Sequence, residues 1–294
     1  MPDFALWAQF VVSGIGIGCV YGLIGIGFCV IYNASGIVNF AQGAFVMLGG
    51  VITNRLMLRA GLPMFAAALL AVLTVAAFGA AMERVVIRPL RARGAATFVM
   101  ILATLAVQII VERVTLMGAG DAPLSLAPFT AGGPMRIGPV AVGYQLLWIV
   151  ASSAIILTGL AMFFGRTRAG RAMRACAVNA EAASLLGIPV DRMVAASFAL
   201  SAALGALAGV LITPTQYTAF NVGVPFAISG FIAAILGGFG NPAGAFLGGI
   251  MLGVVQSLAI VAFGAGMRNT VALSIMLLFL VARPQGLLGR AAPG

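Results

Sequence analysis

The chain has 294 residues, 62% of them hydrophobic and 7% charged, with sixteen basic residues, six acidic ones and a formal net charge of +10 at neutral pH. Soluble domains average roughly 45–50% apolar and about 25% charged residues, so this composition excludes a water-soluble globular fold and implies an integral membrane protein. Lysine and histidine are both absent, which removes the P-loop lysine, histidine general bases and histidine metal ligands.

A hydrocarbon core about 30 Å thick is crossed by about 20 apolar residues in a helix. Lipid cannot satisfy a bare backbone, and the apolar runs lack the period-2 alternation of a barrel, so the spans are expected to be helices. The fold expected is all-α and polytopic, a single membrane domain over residues 1–294 with eight to nine spans. The first span, near 9–32, is longer than the apolar core of a secretion signal and has no basic flank, so it is expected to stay in the mature protein. Its run GIGIG follows no strand, which argues against a dinucleotide site. Gly14, Gly18 and Gly22 instead recur every fourth residue and offer one smooth face for close helix approach. Cys19 and Cys29 lie in this run and Cys176 far downstream, with neither a disulfide framework nor a CxxC pattern.

The junction to the second span reads IYNASGIVNFAQGAF and places Tyr32, Asn33, Ser35, Asn39 and Gln42 beside apolar helices. Spans near 41–58 and 63–83 follow, then a loop with Arg84, Arg88, Arg91 and Arg93. The span near 97–117 carries Glu112 and Arg113 close to its end, within snorkelling reach of water. After the span near 143–164 comes GRTRAGRAMRACAVNAEAASLLGIPVDR, residues 165–192, with Arg166, Arg168, Arg171, Arg174, Glu181, Asp191 and Arg192. Further spans are expected near 193–213, 219–237, 243–263 and 269–282. The one near 219–237 is short and contains Pro225 and Gly230, the composition of a broken or re-entrant segment.

A second polar junction, GGFGNPAGAF, carries Asn241 and Pro242, and Gly240, Gly244 and Gly248 repeat the four-residue glycine spacing. Both junctions run from Asn to GAF to GG, which suggests a parallel internal repeat. Polar, irregular segments persist at membrane depth only when buried in protein or lining a wet path. Asn39, Gln42 and Asn241 are therefore candidates for the translocation pathway, with plain helix capping as the alternative.

Arginine sets the orientation. The loops at 84–96 and 165–192 and the tail with Arg283 and Arg290 hold most of the positive charge, so they are expected to be cytoplasmic, with the N-terminus outside. Topology and anionic headgroups account for the net charge without nucleic acid. In the charged loop, Asn179 can cap a short helix, Glu181 sits in its first turn, Leu185 and Leu186 supply an apolar face, and Gly187 can end it. Such a helix lies either on the headgroups or in a groove of a cytoplasmic protein.

EAASLLG, Glu181 to Gly187, resembles the EAA-x-x-x-G signature of the coupling loop in permease subunits of ABC importers. The pieces YGLIGIGFCVIYNASGIVNFAQGAFVMLGG, MERVVIRPLR, GRAMRACAVNAEAASLLGI, AAILGGFGNPAGAFLGGIMLG and RPQGLLGR together resemble the branched-chain amino-acid ABC permeases of the LivH type from end to end. The I-x-LP that follows the glycine in that signature is not evident after Gly187. This resemblance implies an ABC importer permease fold in the inner membrane of a prokaryote, with alternating access. It also implies a second homologous permease, two cytoplasmic ATPases that bind ATP and magnesium, and an extracytoplasmic substrate-binding protein. No cofactor is expected on this chain itself. ATPase coupling would fall to Arg171, Arg174, Glu181, Ala182, Ala183 and Gly187. The implied cargo is leucine, isoleucine or valine; relatives moving urea, amides, aromatic acids or sugars leave those open. The rival class is a self-sufficient channel or secondary carrier, against which the lack of an acid deep in a span argues.

Overall fold

The computed structural model describes residues 2–138, 140–283 and 285–288. Among the described residues the apolar intervals are helices: α1 (Pro2–Ser35), α2 (Gln42–Ala60), α3 (Met64–Met82), α4 (Arg88–Ala92), α5 (Thr97–Ala119), α6 (Tyr144–Arg166), α7 (Arg168–Val178), α8 (Ala180–Leu185), α9 (Val190–Gln216), α10 (Gly223–Gly237), α11 (Pro242–Phe263) and α12 (Arg268–Ala282). Six are long and apolar enough to cross a membrane, namely α1, α3 with its continuation to Ala92, α5, α6, α9 and α11. The remaining expected spans correspond to α2, which carries Asn54, Arg55 and Arg59, and to the fifteen-residue helices α10 and α12. Pro225 falls in the first turn of α10, where its missing N–H removes no intrahelical bond. A π turn over Glu83–Ile87 joins α3 to α4.

Helix α1 is the axis of the bundle: from Gly14 to Ile31 nearly every residue is buried between its neighbours, whereas Phe4, Leu6 and Trp7 nearer its start are exposed. Its partner is α11. A Cβ on Gly14, Gly18 or Gly22 would overlap backbone at Val254, Ile250 and Phe246 respectively, and the descending partner numbers make the two helices antiparallel. Helix α9 packs in the same way on α2, through Gly49, Gly205 and Gly209, and on α3, through Gly79. With no hydrophobic force between helices in lipid, such backbone contact supplies van der Waals attraction that larger side chains would block.

Gly244 and Gly248 face Gly237 at the end of α10 rather than α1. Gly240 does not share their face. It lies in the turn before α11 with φ at +94°, because the helix begins only after the Asn241 cap, so the expected three-glycine stripe is corrected to two. The stripe that meets α1 is Gly249 and Gly253.

The segment between α5 and α6 is not a bare loop. It carries a hairpin of β1 (Met135–Ile137) and β2 (Val140–Val142), antiparallel with Met135 opposite Val142. Gln9 of α1 clamps it by two bonds to Ala141, at 2.9 and 2.8 Å. Helices α5 and α6 bury only narrow stripes, Met100, Thr104, Gln108 and Thr115 in one and Gln145, Ile149, Ser153 and Leu160 in the other. Their remaining faces are apolar and exposed, as a lipid-facing helix requires.

Candidate functional site

At the arginine-rich end, residues 165–192 form two helices where the sequence suggested one. The hydroxyl of Thr167 accepts a bond from Gly170 N at 3.0 Å and opens α7, which buries Gly170, Met173 and Cys176 against the bundle. The three-residue recurrence of those positions was the overlooked signal. Arg171 and Arg174 belong to this helix and are exposed. Burial pushes the Cys176 thiol up from its ordinary pKa.

Helix α8 is a six-residue turn, Ala180–Leu185, separated from α7 by extended backbone at Asn179. Asn179 Oδ1 accepts from Ala182 N at 2.9 Å, and Glu181 sits in the first turn. Gly187, with φ at +79°, closes the helix through Gly187 N to Ser184 O at 3.0 Å and Ile188 N to Ala183 O at 3.1 Å. This pair of bonds is a Schellman motif, which needs a residue tolerant of the left-handed region. Ala183 is buried, whereas Ala182 faces out. Leu185 and Leu186 are 84% and 82% exposed and Val178 is 89% exposed, so the apolar side of this segment has no partner among the described residues.

The exit from α8 is anchored by charge. Asp191, in the first turn of α9, pairs with Arg91, and its carbonyl accepts from Arg88 at 3.2 Å. Both arginines also reach the fully buried Glu83 carboxylate of the π turn, at 3.3 Å from Arg88 and 3.6 Å from Arg91. Arg88 and Arg91 thus do more than mark topology. They tie the α3 end to the start of α9, a link across about a hundred residues that nothing local in the sequence announces.

Beside this cluster a cavity of about 640 Å³ opens between α1, α6, α7, α9 and the turn before α11, lined among others by Asn33, Phe164, Arg174, Phe239, Asn241 and Leu288. Asn33 Nδ2 donates to Gly240 O at 2.7 Å. Asn241 accepts from Ala243 N and Gly244 N at 3.1 and 3.2 Å, capping α11, and donates to Leu288 O at 3.0 Å. It therefore caps a helix and also lines the cavity.

Asn39 and Gln42 lie elsewhere, fully buried where five helices converge. Gln42 exchanges bonds with Ser201 of α9, Nε2 to the carbonyl at 3.2 Å and Oε1 from the hydroxyl at 2.7 Å, and Ser201 also donates to Gly27 O at 2.8 Å. Asn39 accepts from Ala41 N at 3.1 Å, the same two-residue reach that Asn241 makes to Ala243. Thr104 and Gln108 of α5 cap the 39–44 segment, accepting from Phe40 N at 3.1 Å and from Ala44 N. The four-residue spacing of Met100, Thr104 and Gln108 in a lipid-facing helix was the available sign of their inward position. Asn39 and Gln42 share this cluster, whereas Asn241 hydrogen-bonds to a different set of groups.

One further polar group escaped the sequence reading. Arg268, at the start of α12, donates to Gln256 Oε1 at 3.0 Å and to the hydroxyl of Tyr21, which itself donates to Gln256 at 2.9 Å. Arg268 is thereby drawn onto buried groups of α1 and α11.

Residues 10–282 match the family described as the permease component of the branched-chain amino acid transport system. The chain is 33% identical to the high-affinity branched-chain amino acid transport system permease protein BraD of Pseudomonas aeruginosa, over 99% of this chain and 98% of that protein. It is 31% identical to LivH of Salmonella typhimurium, over 98% of this chain and 97% of that protein. PsaBC from Streptococcus pneumoniae, solved in complex with Fab, has a similar fold, with a TM-score of 0.52 at 13% identity, covering 95% of this chain and 92% of that one.

Proposed function

The chain belongs to the family of branched-chain amino acid transport permeases, and from that premise we propose that it carries leucine, isoleucine and valine inward across the cytoplasmic membrane by alternating access. It is a multi-pass membrane protein and the permease component of an ABC importer. As a single membrane domain it would work beside a second, homologous permease, two cytoplasmic ATPases holding ATP and magnesium, and an extracytoplasmic protein that delivers the cargo.

The observation that carries this reading is the outward-facing surface of α8. Leu185 at the end of α8 and Leu186 at its C-cap project outward at the arginine-rich end, as does Val178, the last residue of α7, the helix that carries Arg171 and Arg174. Apolar side chains exposed beside positive charge suit a groove with acidic rims on a partner. Glu181, Ala182, Ala183 and Gly187 would give the coupling helix its start, its close-packed side and its end. Movement of that helix would reach the spans through Asp191 and the Glu83 cluster. Asn39, Gln42 and Asn241 would lie along the cargo route, with the cavity as its inner vestibule. Only differential affinity of ATP-bound and ATP-free ATPases for two arrangements of the permease can drive such a cycle.

The test is reconstitution of this chain with its partners in proteoliposomes, followed by uptake of labelled leucine, isoleucine, valine, urea, an aromatic acid and a pentose. ATP-dependent accumulation of the three aliphatic amino acids is expected. Preferential uptake of another solute would reassign the cargo, and ATP-independent uptake by this chain alone would replace the importer with a carrier or channel.

A further inference from the structure

Two side-chain amides at the start of α2 are held in one orientation and left half used. The oxygen of Asn39 accepts from Ala41 N and that of Gln108 accepts from Ala44 N. Only the carbonyl end of an amide can meet a backbone N–H, so both NH₂ groups point away from those contacts. Asn39 Nδ2 and Gln108 Nε2 have no hydrogen-bond partner among the described residues, with the side chains 0% and 3% exposed. An unsatisfied buried donor costs about 1–3 kcal/mol, and here two flank the same six residues. They sit at the N-terminal end of α2, where the helix dipole adds partial positive charge. The first residue of α10 bounds the place, since a Cβ on Gly223 would stand 3.1 Å from Gln108 Nε2.

Phe40, the residue after Asn39, belongs to an aromatic cluster. The rings of Phe28, Phe40 and Phe231 pack mutually, with centroids 5.6 to 6.4 Å apart, and Phe231 continues to Phe239 at 5.7 Å. Phe239 lines the cavity at the arginine-rich end. Two free donors, a helix start and an aromatic cluster leading to a cavity match a small molecule with an anionic head and an aliphatic body. Among the described residues no charged side chain hydrogen-bonds into the cluster, which suits cargo of zero net charge held weakly enough to leave.

We propose that the NH₂ groups of Asn39 and Gln108 form the intramembrane subsite for the carboxylate of a zwitterionic aliphatic amino acid, whose side chain rests on Phe28, Phe40 and Phe231. This rests on the importer reading above and specifies where the cargo sits. The short helix α10, whose first residue closes the subsite on one side, is the element that moves to admit it, and the Phe231–Phe239 pair leads to the vestibule.

The complete transporter in proteoliposomes, with leucine-loaded binding protein, tests it through leucine uptake and ATP hydrolysis measured on one preparation. Asn39→Asp and Gln108→Glu keep the capping oxygen and remove the free donor. Each is expected to lower uptake about tenfold, the equivalent of one charge-assisted hydrogen bond, while ATP hydrolysis stays within about twofold, because the ATPases still answer the loaded binding protein. Uptake near the parent rate in both variants overturns the subsite, and so does a parallel fall in uptake and hydrolysis, which is what a merely structural cap predicts. If the acidic variants fail to assemble, Phe231→Leu decides. A change of about fourfold in the leucine-to-valine uptake ratio, roughly what burying one methylene contributes, supports the site, and an unchanged ratio overturns it. A parent transporter that accumulates sugar or urea but no leucine instead removes the cargo reading on which the subsite depends.

Discussion

Gly22 of α1 and Gly249 of α11 lie backbone against backbone, so that a Cβ built on Gly249 would overlap the main chain of Gly22. Gly253 stands in the same relation to Gly14 and Gly18. The contact joins the most buried helix of the bundle to its principal neighbour. Gly249→Leu should separate α1 from α11 and destabilise the protein by at least the roughly 1–3 kcal/mol of an overpacked core. Gly118→Leu, where a Cβ meets open space, should be neutral. Thermal unfolding of the two variants in detergent checks this, and equal midpoints would refute the tight-interface reading.

Orientation follows from arginine placement. Reporter fusions after Arg93 and Arg174 should report cytoplasm, and a tag ahead of Phe4 should be accessible from outside. An extracytoplasmic signal at Arg174 would invert the arrangement and remove α8 from reach of any ATPase.

For the coupling helix, Glu181→Lys reverses a favourable charge in the first turn, and Gly187→Val forces a β-branched residue to φ +79°, at a cost of at least about 1–2 kcal/mol. Both variants should insert normally but lose ATPase co-purification or uncouple hydrolysis from uptake. A helix resting only on headgroups predicts normal association and normal uptake in both.

Glu83 and Asp191 should differ in weight although they share Arg91. Glu83→Ala leaves Arg88 and Arg91, whose side chains are 35% and 28% exposed, without the buried carboxylate; the freed guanidiniums can reach water, so the loss should be about 1–3 kcal/mol. Asp191 has a side chain 59% exposed, so Asp191→Ala should cost under about 1 kcal/mol of stability and show its effect in the ratio of uptake to ATP hydrolysis. Midpoints from thermal denaturation rank the two, and a larger loss for Asp191→Ala would contradict the geometry.

Cys176 is buried against the bundle with its thiol pKa raised by desolvation. A raised thiol pKa keeps the neutral, unreactive form to higher pH, so maleimide labelling of Cys176 should be slow near neutrality and accelerate only above the pH at which an exposed cysteine reacts. Labelling rates across pH, set against an exposed cysteine introduced at Ser184, measure this. Equal rates at neutral pH would place Cys176 in water.

The apolar intervals were legible in the sequence because lipid compels helices wherever a long uncharged run occurs, and α1, α9 and α11 fall close to where hydropathy put them. Local chemistry was legible too. Asn179 caps α8 and Gly187 ends it, since capping depends only on neighbours a few residues apart. Tertiary structure decided which faces meet. Hydropathy gives a membrane helix no inside or outside, because lipid and protein interior are equally apolar, so the turning of Gly249 rather than Gly248 toward α1 had no one-dimensional signature, and the four-residue spacing of Thr104 and Gln108 marked a shared polar face without saying what it meets. The pairing of Arg91 with Asp191 and the convergence of Tyr21, Gln256 and Arg268 join residues about 100 to 250 positions apart, where spacing along the chain carries no information on distance in space. Composition and periodicity therefore determined the class, the helices and their caps. The helix faces that pack together, and the place where two buried amides stand unsatisfied, were settled only by close contact between distant backbones.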